Sequence, residues 1–145
     1  MKRIIIITFL LIPFLIQCKT PKLEKMKNES YQVINMDRLD YLDGNGNKYS
    51  ITPVSIIYDP ITAAESSTGM YDGGEPYTIS ISVIEFEILQ ETAMNCINKK
   101  EGIIENRIKG SGMLIIEPGN KIFIFDMNST QRAELENTIQ SITKK

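Results

Sequence analysis

The feature that most constrains this chain's fold is a succession of short runs in which apolar and polar residues alternate, several of them closed by Gly, Asn or Pro. Period-two alternation turns one side of a strand toward a core and the other toward solvent. Residues 31–36 read as a strand, with Tyr31, Val33 and Ile34 supplying β-favouring side chains. Residues 43–47 (DGNGN) carry the Gly, Asn and Asp that tolerate the positive φ of hairpin turns. Tyr49 and Ile51, then Val54, Ile56, Ile57 and Tyr58, suggest one or two strands interrupted at Pro53 and ended by Asp59-Pro60. Residues 77–80 alternate again. Residues 103–108, 113–117 and 121–125 read as an antiparallel meander, turning at Lys109-Gly110-Ser111-Gly112 and at Glu117-Pro118-Gly119-Asn120. Pro then Gly at the central positions of the second turn is the type II signature. Ile122, Phe123, Ile124 and Phe125 are apolar on both strand faces, which predicts a central strand buried on both sides.

Two segments follow the helical period instead. Ser82-Val83-Ile84-Glu85 fits a capping box, in which the serine takes an orphan backbone N–H and the glutamate reaches back. Phe86, Leu89, Ala93, Cys96 and Ile97 then fall on one face, predicting a helix over 83–99 stopped by Gly102. Ser129 caps a last helix whose narrow stripe is Leu135, Ile139 and Ile142. The expected fold is therefore α+β: a mostly antiparallel sheet of five or six strands, with two amphipathic helices packed on one face.

The first residues are of a different kind. Lys2 and Arg3 precede residues 4–16, a run that is apolar except for Thr8 and Pro13. A membrane-spanning helix needs roughly 20 apolar residues, so this run is short and fits a secretory signal peptide. It ends Leu15-Ile16-Gln17-Cys18, which resembles the lipobox of bacterial lipoproteins, with Gln17 where that family prefers Gly, Ala or Ser. The resemblance implies cleavage before Cys18, fatty acylation of its thiol and often of its new amino group, and anchoring to a membrane. Residues 1–17 are then the signal, 18–30 a lipidated cysteine with a polar tether, and 31–145 a single α+β domain. Lys19, Lys22, Lys25 and Lys27 make the tether basic, while Glu24 and Glu29 dilute it. The expected location is the cell envelope, with the outer membrane or cell surface placed ahead of the inner membrane.

Composition then removes whole classes of function. The chain has no histidine, which excludes Ser-His-Asp and Cys-His catalysis and the commonest ligand of a catalytic zinc. Losing Lys2 and Arg3 with the leader takes the formal charge from −2 to −4, the wrong sign for a nucleic-acid binder. With Cys18 lipidated, Cys96 has no partner in the chain and reads as a small buried hydrophobe. Without lipidation, a Cys18–Cys96 disulfide becomes conceivable. No cofactor is expected.

Few residues suggest chemistry. Asp43, Asn45 and Asn47 occupy the first ligand positions of an EF-hand-like calcium loop. Lys48 stands where that loop needs Gly and Val54 where it needs a bidentate Glu, so a tight hairpin explains the same residues. Residues 61–76 form a long loop with no apolar period, and a loop of this length is either functional or a plain connector. Within it Ser66, Ser67, Thr68, Tyr71, Asp72, Gly73 and Gly74 are the candidate binding residues. The Ser-rich, Gly-Gly loop before a Lys-Gly-Ser-Gly strand is similar to small uncharacterised exported bacterial proteins, a resemblance that implies no activity. The S-x-x-K string at 141–144 lacks its companion motifs and is a coincidence. The reading is a non-catalytic envelope module that binds an envelope protein, a glycan or a host surface. The alternatives are an inhibitory or structural lipoprotein and an enzyme working through carboxylates.

Overall fold

The computed structural model describes residues 36–144. The expected signal, Cys18, the expected tether and all but the last residue of the strand expected over 31–36 lie outside the described residues, and that last residue, Met36, is buried but belongs to no strand. The first described strand, β1 (Arg38–Leu42), follows instead, with Leu39 and Tyr41 fully buried and Arg38 and Asp40 on the other side. The DGNGN turn joins it to β2 (Lys48–Thr52), and Pro53 and Val54 separate β2 from β3 (Ser55–Asp59), so the interrupted run makes two strands. After the long loop come β4 (Tyr77–Ser80) and helix α1 (Val83–Asn98). The remaining elements are β5 (Ile103–Ile104), β6 (Gly112–Glu117), β7 (Lys121–Phe125) and helix α2 (Thr130–Thr143).

These elements make an α+β fold with a seven-stranded sheet, more strands than the five or six expected, in the order β4-β3-β2-β1-β6-β7-β5. Each neighbouring pair is antiparallel. Both helices begin where the sequence places them. Ser82 accepts from the Glu85 amide in a complete capping box, and Ser129 accepts from the Arg132 amide. Their buried stripes are Phe86, Leu89, Ala93 and Cys96 on α1, and Leu135, Ile139 and Ile142 on α2. These pack on Leu39, Tyr41, Ile51, Ile56, Leu114, Ile116 and Phe125 from one sheet face. Full burial of such side chains contributes roughly 1.5–3 kcal/mol each. Cys96 sits between the helices, its thiol donating to the Gln131 carbonyl at 3.3 Å.

Two expectations for the C-terminal half are corrected. The meander is broken, because β5 is two residues long and pairs with β7 instead of β6. The chain must pass the end of β7 to reach β6, so residues 105–111 form a crossing loop where a strand over 103–108 was expected. In the turn after β6 the Glu117–Pro118 peptide is cis, and Gly119 has the positive φ that a type II turn places at its third residue. Finally, β7 is not buried on both sides. Ile122 is 57% exposed, since no described layer covers the sheet face opposite the helices. That open face carries a cross-strand row of Leu42, Met113, Ile124 and Ile104, with Ile115 beside Ile122. Further along it, Asp40 lies between Arg38 at 2.8 Å and Lys48 at 3.2 Å. Partial burial opposes its charge, but these two cations and Ser50 outweigh burial and hold the carboxyl below its ordinary range.

Candidate functional site

The β1–β2 turn is organised by one carboxylate. Asp43 Oδ1 accepts from the amides of Asn45, Gly46 and Asn47 at 2.9, 2.8 and 2.9 Å. Gly46 has φ +103°, a conformation other residues rarely adopt. Asp43 Oδ2 accepts from Asn47 Nδ2 at 2.7 Å. The residues considered for calcium thus serve another purpose: both Asp43 oxygens and the Asn47 amide hold the turn together. Asn45 faces outward at the tip.

Asn47 also reaches beyond the turn. It is only 3% exposed, and its Nδ2 donates to the Tyr71 hydroxyl at 2.8 Å while its Oδ1 accepts from the Ile61 amide at 3.2 Å. One side chain thereby ties both arms of the 61–76 loop to the sheet. The second arm is fastened again at Gly73, whose amide donates to the Ile61 carbonyl at 3.0 Å. The Gly73 carbonyl accepts from the Tyr58 hydroxyl at 2.8 Å. A side chain at Gly73 would run into Asn47 and Pro60, so close approach explains this glycine. At the base of the first arm, Glu65 Oε2 accepts from the Thr62 amide and hydroxyl, both at 2.8 Å. Those bonds, the backbone one foremost, hold its carboxyl below the ordinary range.

A second loop faces the first. Residues 107–110 belong to the crossing segment before β6 and are held from α2. Arg132 Nη1 donates to the Gly110 carbonyl in a short contact and to the Met127 carbonyl at 3.1 Å. Arg132 Nε pairs with Glu136 at 2.8 Å, and Glu136 accepts from the buried Tyr41 hydroxyl at 2.7 Å. Between the two loops lies a groove of about 460 Å³, floored by Gly44, Asn45 and Gly46. Ser66, Ser67, Thr68 and Tyr71 line one wall with Ile61 and Glu65, and Arg107, Ile108 and Lys109 line the other. Four of the seven loop residues singled out from sequence therefore meet in one place. Asp72, Gly73 and Gly74 do not line the groove. Asp72 accepts from the Gly74 amide at 2.9 Å, and Gly73 is packed behind the wall.

On the other side of Asn45 a smaller cavity of about 160 Å³ lies under α2, walled by Tyr41, Tyr49, Arg132, Glu136 and Gln140. Its floor is part of a row of tyrosines in register across four strands, Tyr41, Tyr49, Tyr58 and Tyr77. Successive ring centroids are 6.4, 4.9 and 4.8 Å apart. Burial raises the phenols of Tyr41 and Tyr49 well above the ordinary value, and that of Tyr58 to about 12.

Sequence reading missed Arg107, Lys109, the linking role of Asn47 and the Arg132–Glu136–Tyr41 chain. One signal was present: Tyr41 and Tyr49 stand symmetrically about Asn45, so a hairpin turning there pairs them. Among the described residues no group of His, Cys, Asp or Glu is arranged to hold a metal ion, and no helix is long and apolar enough to cross a membrane. The chain matches no protein-family model, no curated protein and no solved structure.

Proposed function

We propose that this protein is a lipid-anchored module of the bacterial cell envelope, held by Cys18, that binds a partner in the groove between the 61–76 loop and residues 107–110. The observation that carries the reading is the convergence of Ser66, Ser67, Thr68 and Tyr71 with a second loop around one concavity. A plain connector has no reason to be pinned at Asn47 and Gly73 while its hydroxyl-bearing residues face a facing wall. Concave sites with a few convergent polar groups on a rigid support are the usual form of a binding site. The groove offers little to acid–base catalysis. Its one carboxylate, Glu65, is held below its ordinary range, the opposite of what a general acid requires. Anchoring rests on the lipobox-like ending at Cys18 and the polar tether after it.

The test is a pull-down of the full-length protein from its own envelope, run beside a form with residues 66–74 replaced by a Gly/Ser linker and beside Cys18→Ala. The loop replacement is expected to fold and to lose its partner. Undiminished capture by that form removes the groove as the site. Fatty-acid labelling is expected to disappear in Cys18→Ala, and labelling that persists removes the anchor.

A further inference from the structure

We infer that the groove takes an acidic glycan, a sugar polymer bearing carboxylate or sulfate oxyanions; this rests on the groove being the ligand site. The inference comes from which hydrogen-bonding groups the fold leaves unengaged. Lys109 has no hydrogen bond or ion pair among the described residues, so all three of its N–H donors remain available. Arg107 uses one guanidinium nitrogen on the Asp43 carbonyl, at 3.3 Å, and has no ion-pair partner among the described residues. The Tyr71 hydroxyl oxygen accepts from Asn47, which leaves its own proton without a protein acceptor. On the same wall as Tyr71, the Glu65 carboxylate is turned back on its own loop by two bonds from Thr62. The groove therefore presents an excess of donors and of positive charge in a chain whose formal charge is negative. Oxygen acceptors with negative charge complement that excess.

The same surroundings favour a glycan over an acidic peptide. An extended peptide is commonly captured by pairing with a sheet edge, and the groove is walled by turns and loops, with no strand edge along it. Several of the amides lining it already have acceptors: Asn45 and Gly46 on Asp43, Glu65 and Ser66 on Thr62, and Ile108 on the Ser111 hydroxyl. What the wall offers a ligand is the Ser67 hydroxyl and the Ser66 and Thr68 hydroxyls, which are bonded to each other at 3.1 Å and keep one proton between them, beside the Tyr71 ring. Hydroxyls and an aromatic face suit sugar hydroxyls and sugar C–H surfaces, and the two cations suit the acidic groups along the polymer.

The experiment uses the full-length protein in detergent and measures binding of fluorescein-labelled oligogalacturonate, dextran sulfate, neutral dextran and polyglutamate by fluorescence polarisation. At least one of the two acidic glycans is expected to bind, weakening as salt rises, with dextran and polyglutamate at least tenfold weaker. Whichever acidic glycan binds more tightly identifies the oxyanion. Arg107→Glu and Lys109→Glu are each expected to weaken binding roughly tenfold, and Tyr71→Phe a few-fold. Lys121→Glu, a reversal on exposed β7 outside the groove, is expected to change it less than twofold. Dextran binding as well as the acidic glycans, or binding indifferent to both groove reversals, overturns the charge inference and leaves the groove reading in place. Polyglutamate binding as tightly as the glycans overturns the glycan class. Failure of all four probes overturns the inference outright, while the loop replacement in the envelope pull-down decides the groove separately.

Discussion

Removing the Asn47 side chain should damage the protein far more than a polar residue beside a turn ordinarily would. Asn47→Ala deletes three hydrogen bonds, to Asp43 at 2.7 Å, to Tyr71 at 2.8 Å and from Ile61 at 3.2 Å. A neutral bond contributes about 1 kcal/mol net, and one to a carboxylate about 1.5–3 kcal/mol. Water can reach some of the abandoned groups, which lowers the sum, so the expected loss is about 2–4 kcal/mol. Equilibrium urea unfolding would read this as a midpoint lowered by about 1–2 M, given a mid-range slope of about 2 kcal/mol per M. Hydrogen exchange should report a larger change at the Ile61 and Gly73 amides, since both depend on the loop staying closed on the turn. Asn47→Asp is the sharper companion. It keeps the size and the acceptor for Ile61, loses both donors, and sets a second carboxylate against Asp43. Repulsion between the two raises the pH at which the folded pair takes up a shared proton above the unfolded carboxyl value of about 4. The defect should be full at pH 7 and relieved as pH falls through the raised pKa and a proton binds. A loss below about 1 kcal/mol for Asn47→Ala, or a pH-independent Asn47→Asp, would refute the linking role assigned to this residue.

Three further outcomes follow from the same geometry. The buried phenols of Tyr41, Tyr49 and Tyr58 have folded-state pKa values above the unfolded value of about 10. Their contribution is intact below pH 10 and is lost as pH rises from there through the folded values. Melting temperature should therefore fall steeply above about pH 10, and less steeply in Tyr58→Phe, whereas an unchanged slope would contradict the burial argument. Burial also raises the Cys96 thiol to about 11, with Glu134 adding to the shift. The native thiol is expected to ignore a disulfide reagent at pH 8 and to react at once in denaturant, and rapid native labelling would place it elsewhere. Gly112→Ala should cost about 1–3 kcal/mol in urea unfolding, because its new methyl group meets the Tyr41 hydroxyl and ring beneath the Glu136 bond. Wild-type stability in that variant would mean the Tyr41 ring is free to move.

What was legible from the sequence is what short-range chemistry decides. The Ser82–Glu85 capping box, the Ser129 cap and the DGNGN turn each need only a few neighbouring residues, and each forms where expected. The errors came where a distant strand decides. Arg38–Leu42 alternates in register with period two, yet two charges in five residues hid it until Asp40 was seen facing Lys48 and Ser50 across β2. Ile122 to Phe125 is greasy throughout, but greasiness does not tell whether a layer covers the second face. Local sequence could not show that Ile103 and Ile104 would pair beyond β7, because the choice depends on where the crossing loop goes. The groove divides in the same way. The 61–76 loop announced itself by composition, while Arg107 and Lys109 reach it only through the tertiary fold.

The position of β1 at the middle of the sheet has a consequence for how the chain must reach its native state. Its first neighbour, β2, is supplied by a tight turn, and β3 and β4 extend that meander in order along the chain. Its second neighbour, β6, arrives only after the long loop, α1 and β5 have been made. Until then the strand destined for the centre is a bare edge, its free N–H and C=O groups open to any extended chain nearby. A pairing so distant in sequence closes late and slowly. If the chain is exported as an unfolded thread, its N-terminal half emerges first. The interval before β6 follows is then when it is most exposed to aggregation and to envelope proteases.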